Sequence, residues 1–197
     1  MSNIIFSYDE ESAKVAGTGG YINESGAYII TITEAELKAA NNQDSQSKWI
    51  EFSGEADDGR KVQYLKVITA KRDGSPNKMG NDMIHAMMGA AGIRQLTNYM
   101  KQAGKYIAPE FTGKTLGLVI GKTLTTKNDG SDSYQLDIKI PFYPDTRQTI
   151  TERAEGLAAE SIAKIVAGLK DKDDRKARAD TSQSQPNNVP FDDSIPF

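Results

Sequence analysis

Much of the chain alternates apolar and polar positions, and the period breaks in only a few places. In "GYINESGAYIITIT", residues 20–33, β-branched and aromatic residues surround a Glu24-Ser25-Gly26 turn signal. Tyr28, Ile30 and Ile32 share one parity, so a first strand is expected here. "EAELKAANNQDSQ" reads as a short helical or irregular connector ending at the surface. "SKWIEFSGEADDGRKVQYLKVITA" holds two alternating runs, 47–56 and 60–70, around Asp57-Asp58-Gly59, a strong hairpin signal. Ile50 and Phe52 then share one face of its first strand, with Trp49, Glu51 and Ser53 on the other. In the second strand Leu65 and Val67 face away from Tyr64, Lys66 and Ile68.

After the Gly/Pro/Asn loop "KRDGSPNKMG", Met83, Met87, Ile93, Leu96 and Met100 fall at spacings that predict one or two helices over 81–104, with a break at Gly89 and Gly92. "TGKTLGLVIGKTLTT" and "SYQLDIKIPFY" alternate again on either side of Asn128-Asp129-Gly130, which predicts a second hairpin. From Thr149 the period lengthens: Ile150, Ala154, Leu157, Ile162, Ile165, Val166 and Leu169 form a helical stripe, weakened by Gly156 and Gly168. The expected division is a domain over 1–148, a C-terminal helix over 149–170, a disordered linker over 171–188, where charge and then Ser/Gln/Asn/Pro leave too little apolar surface to offset ordering, and a distinct end over 189–197.

Composition narrows the chemistry. The 197 residues suffice for one core with an appendage. No apolar run approaches the roughly 18 residues of a membrane helix. With no cysteine and no basic-then-apolar leader at Met1–Tyr8, a soluble, intracellular (cytoplasmic) protein is expected, without a membrane role. A single histidine, His85, and no cysteine remove the usual zinc sites and most nucleophilic constellations. No catalytic residue, metal or cofactor is assigned. "GEADDGR" lacks EF-hand ligand spacing, and "GTGG" at 17–20 lacks the strand and helix of a phosphate loop.

The net charge of −3 is unevenly spread. Residues 1–59 carry 3 Lys/Arg against 11 Asp/Glu, residues 60–122 carry 11 against 3, and residues 123–197 carry 10 against 13. A middle block at +8 is either a surface for a polyanion or a solvated charged face.

The expected fold class is mainly β with helices (α+β). Five strands, with a helical insertion between strands 3 and 4 and a further C-terminal helix, match the order of the five-stranded Greek-key barrel known as the OB-fold. Many small α+β domains share that count. A sharper pointer is "PFDDSIPF" at the end of the sequence, after a Gln/Ser/Asn/Pro-rich stretch. It closely resembles the acidic C-terminal tip of bacterial single-stranded DNA-binding proteins, with Asp192, Asp193, Ile195, Pro196 and Phe197 at the matching positions. The rest of the chain looks more like the divergent phage-encoded members, which keep an OB-fold and an acidic tail ending in phenylalanine.

That resemblance implies a protein that coats single-stranded DNA and recruits replication, recombination and repair proteins through its tip. Phe191, in a doubled apolar-Pro-Phe triplet, is either a second contact beside Phe197 or an accident of composition. Binding single strands without sequence preference takes cations along the phosphates and rings on which bases stack. Trp49 and Tyr64 are the first candidates for stacking, Trp49 equally fitting a packed core position. Tyr134, Phe142 and Tyr143 fit either set. The candidate cations are Arg60, Lys61, Lys66, Lys71, Arg72, Lys78, Lys114 and Lys122. Rival readings are a recombination accessory that anneals strands and carries the same tail, and a nuclease. A homo-oligomer is compatible with the 150–170 stripe.

Overall fold

The computed structural model describes residues 7–10, 20–41 and 44–175. The tip residues Phe191, Asp192, Asp193, Ile195, Pro196 and Phe197, and the linker from 176 onward, lie outside the described residues.

The described residues form a mainly β, α+β structure with one eight-stranded sheet. Five strands are long: β1 (Gly26–Ala39), β2 (Lys48–Ala56), β3 (Lys61–Ala70), β6 (Thr115–Thr126) and β7 (Asp132–Phe142). Three are short: β4 (Tyr99–Gln102), β5 (Lys105–Ile107) and β8 (Lys172–Asp173). The path runs β3-β2-β1-β5-β4, with β6 joined to β1, β7 and β8. All ladders are antiparallel except that of β6 with β8. Among the described residues no ladder joins β3 to β7, so the sheet curls without closing.

β1 makes this curl possible. Its first residues, Gly26–Thr31, pair with β6, while Ile30–Ala39 pair with β2 and Glu36–Leu37 with β5. The β2 ladder shifts register between Ile32 and Glu34, which bends β1 and keeps Ile30, Ile32 and Ala35 all buried across the bend. The connector expected over 34–46 is therefore strand as far as Ala39. Its charged residues had masked the apolar Ala35 and Leu37, and their charge is met by partners on neighbouring strands.

The helix α1 (Lys78–Ala91) follows β3. Lys78 is its first residue, not part of the preceding loop. Gly80 lets its first turn sit on β3: a Cβ there would lie 1.7 Å from the Ile68 carbonyl oxygen. Asn77 secures the junction by donating its side-chain N–H to the same oxygen at 2.7 Å. Ile84 and Met87 face the core, and Gly92 (φ 67) ends the helix in the left-handed region, so the break lies there and not at Gly89. Beyond it Tyr99–Ile107 is a β-hairpin turning at Gly104, and Met100 is a strand residue, 55% exposed. Helical spacing had drawn Leu96 and Met100 into the helix, but the left-handed turn at Gly92 breaks that register.

The main core gathers Ile30, Ile32, Phe52, Leu65, Met87, Phe111, Leu118 and Ile120. Phe111, on a short 3-10 turn, meets Phe52 edge to face at 5.1 Å. β6 is buried on both faces, with Val119 and Phe142 packing outward against Ile162. Gly117 has no side chain because the Phe142 ring occupies its place, 2.2 Å from a would-be Cβ.

The single helix expected over 149–170 is two short ones, α2 (Ile150–Ala154) and α3 (Ser161–Gly168), broken by a left-handed Gly156. One carboxylate joins them. Thr149 and Glu152 form a capping box on α2, the Glu152 carboxylate accepting from the Thr149 backbone N–H at 2.8 Å. The same carboxylate accepts from the N–H groups of Glu160 (3.0 Å) and Ser161 (2.8 Å) at the start of α3. These bonds, that from Thr149 foremost and those from Ser161 next, lower the Glu152 pKa from 4.5 to about 2. A lowered carboxylate pKa stabilises the fold above pH 4.5, and that contribution is lost as pH falls from there towards about 2. Amide protection factors in 149–168, taken relative to the intrinsic exchange rate at each pH, should fall across that window. Glu152→Gln should show fast exchange already at neutral pH, and an unchanged exchange profile in the variant would count against this role.

Candidate functional site

The gap between β3 and β7 is a groove of about 730 Å³. Tyr21, Glu51, Gln63, Tyr64, Lys66 and Ile68 line one side, and Ser133 to Asp137 the other. Three tyrosine rings reach solvent along it: Tyr64 is 71% exposed, Tyr21 56% and Tyr134 41%.

Tyr64 is presented by a backbone irregularity. Phe52 pairs with Leu65 but Gly54 pairs with Val62, so Gln63 and Tyr64 together oppose Ser53 in a β-bulge. Tyr64 sits at φ 62, the left-handed region that costs a residue with a Cβ about 1–2 kcal/mol. The bulge lets Val62 and Leu65 both point into the core while Tyr64 stands outside. The well-packed sheet on either side holds Tyr64 in this conformation at the groove edge.

Trp49 and Lys66 form the next feature. Lys66 Nζ lies 3.9 Å from the centroid of the Trp49 ring, a cation–π contact across the β2–β3 pair. Trp49 is half-buried, between the packed and exposed alternatives, and its indole N–H is buried without an acceptor among the described residues. Across the groove Lys122 Nζ lies 5.2 Å from the Tyr134 ring centroid. Two cations thus flank the rings, and the arrangement can stack flat apolar faces and hold anionic groups beside them. Asp137 and Glu51 line the groove as well. Glu51 is met by Lys38 at 2.6 Å, an ion pair that raises the Lys38 pKa.

Folding redistributes the sequence's basic block. Arg60 is held by Asp58, its Nε and Nη2 donating at 2.8 and 2.6 Å, and its guanidinium lies over Tyr28. The same pair lowers the Asp58 pKa. Lys78 pairs with Asp82 along α1 at 2.6 Å. Lys101 and Lys105 both bond to Glu34 on β1, the two holding its pKa low. Lys122 is 4.0 Å from Asp171. Acidic residues of the first block therefore neutralise part of the second. Lys61, Lys66, Lys71 and Lys114 are exposed and make no ion pair among the described residues, and Arg72 donates to the Asp44 carbonyl.

Of the candidates drawn from sequence, Tyr64 and Lys66 lie in the groove, Trp49 and Lys122 at its margins, and Lys61 beside Tyr21 through the bridge joining those two residues. Lys71, Arg72 and Lys78 lie past the end of β3, and Lys114 just before β6, so none of the four lines the groove. Tyr134, which fits either set by sequence, lines the groove, and so does Tyr21, which no sequence pattern marks. Strand parity is the signal at Tyr134, whereas nothing local to Tyr21 shows that it bridges to Lys61. Among the described residues no helix is long and apolar enough to cross a membrane. No protein-family model and no curated protein matches the chain.

Proposed function

We propose that this chain binds single-stranded DNA without sequence preference and acts by coating it, with no catalytic step. The observation that carries the reading is the groove between β3 and β7, with Tyr64, Tyr134 and Tyr21 exposed along it and Lys66 and Lys122 beside the rings. Stacking on aromatic rings serves every base, and cations beside the rings serve every phosphate. The fold we infer is an OB-type barrel built on β1, β2, β3, β6 and β7, open between β3 and β7, with α1 between its third and fourth long strands and β4–β5 as an added hairpin. The resemblance of "PFDDSIPF" supports the same reading. On it, Phe191 to Phe197 offer apolar plugs and carboxylates to Arg- or Lys-lined pockets on replication, recombination and repair proteins in the cytoplasm of a bacterial cell.

Trp49 is the one tryptophan in the sequence and sits beside the groove, so its fluorescence reports binding directly. Titration with single-stranded and double-stranded oligonucleotides across salt is the test. Quenching and tight binding are expected with single strands and not with duplex. Equal affinity for both would overturn the reading.

A further inference from the structure

A second groove, about 750 Å³, opens on the far side of Trp49. Lys38 and Ala39 from β1, Lys48 and Trp49 from β2, and Thr69 from β3 line it, with Asn98 and Tyr106 from the added hairpin region. Like the first, it pairs aromatic surface with cations. Tyr106 is 39% exposed, and Lys48 is exposed with no ion pair among the described residues. Glu36 lines it too, 3.5 Å from Lys38 and 3.7 Å from Lys105, and Glu51 lies 2.6 Å from the same Lys38 ammonium.

The two grooves share a divide. Lys66 and Ile68 line the first, Trp49 lines the second, Trp49 pairs with Ile68 across the ladder, and the Lys66 ammonium rests on the Trp49 ring. From β3 to β5 is three strand spacings, about 14 Å. The indole N–H, buried without an acceptor among the described residues, gains access to one if the ring turns outward from this divide.

We propose that the second groove, with Tyr106 and Trp49 as its stacking surfaces and Lys48 as its phosphate contact, continues the path of single-stranded DNA from the first groove over the Trp49–Lys66 divide. This rests on the reading above and adds to it a second subsite, built in part from the β4–β5 hairpin. Nucleotides in the first groove meet Tyr64 and Tyr134. Those that follow cross Lys66 and meet Trp49, then Tyr106. A strand too short to cross uses the first groove alone.

Full-length wild-type protein, Tyr106→Ala, Lys48→Ala and Tyr64→Gly would be titrated with oligothymidylates of about 5 and about 15 nucleotides, within the span of site sizes known for such modules. Tyr106→Ala should weaken binding of the longer strand at least about fivefold, the loss of one stack, and change the shorter by less than about twofold. Lys48→Ala should lower the salt slope by about 0.7 for the longer strand only. Tyr64→Gly should weaken both. If wild type and Tyr64→Gly behave as stated but Tyr106→Ala and Lys48→Ala bind the longer strand like wild type, or affect both lengths alike, the second subsite is overturned and the first stands. If wild type binds neither strand, both fall.

Discussion

Replacing Tyr64 with glycine is expected to weaken single-stranded DNA binding by a factor of about 5 to 150 while leaving the protein as stable as before, or up to about 1 kcal/mol more stable. The two halves have separate causes. Tyr64 is 71% exposed, so its removal uncovers little core, and its φ of 62 is one that glycine adopts without the Cβ penalty of about 1–2 kcal/mol. Part of that relief is offset by the greater freedom of glycine in the unfolded chain, which is why the gain is small. The binding loss is that of one base–ring stack, about 1–3 kcal/mol. A residue kept only for the fold would show the opposite pattern, lower stability with binding unchanged. Denaturant midpoints beside fluorescence titrations decide between them. A destabilised Tyr64→Gly that binds normally would remove Tyr64 from the interface.

The five long strands were legible, β1 only as far as Thr33, because they alternate and both long hairpins carry Asp-Gly at the turn, Asp58-Gly59 and Asp129-Gly130. What alternation could not show was where the ladder slips. Val62 and Leu65 are three apart and both buried, so a strict period of two would send one of them outward. The slip at Gln63 and Tyr64 resolves this, and only the shift between the Phe52–Leu65 and Gly54–Val62 pairs reveals it. The β4–β5 hairpin escaped for a related reason: a four-residue and a three-residue strand are too short to establish a period, and methionine spacing drew the first of them into the helical stretch expected over 81–104. Glu152 was hidden differently. Within a helical stripe it looks like one more surface charge, and its burial follows from two helix starts meeting on one carboxylate.

The same limit applies to charge, where it has a measurable consequence. The block at 60–122 counts as +8 in sequence, yet Lys78, Lys101 and Lys105 each have a carboxylate partner in the fold, whereas Lys61, Lys66 and Lys71 have none among the described residues. A cation already paired must give up its carboxylate to take a phosphate, and releases fewer counterions from the DNA in doing so. Two triple variants, Lys61/Lys66/Lys71→Ala and Lys78/Lys101/Lys105→Ala, remove the same formal charge. Beyond the Debye length of about 8–10 Å they should therefore look alike to an approaching strand. Close to the strand they should differ. With Lys61 and Lys66 at the groove and Lys71 outside it, the first variant should lower the slope of log affinity against log salt by about 1.4, at about 0.7 for each phosphate no longer neutralised. The second should leave the slope within about half a unit of wild type. Since the slope is multiplied by the change in log salt, the two variants should also diverge most in affinity at low salt and converge as salt rises. Equal changes in slope would mean that net charge alone governs binding, and that the unpaired lysines around β3 hold no favoured position on the strand.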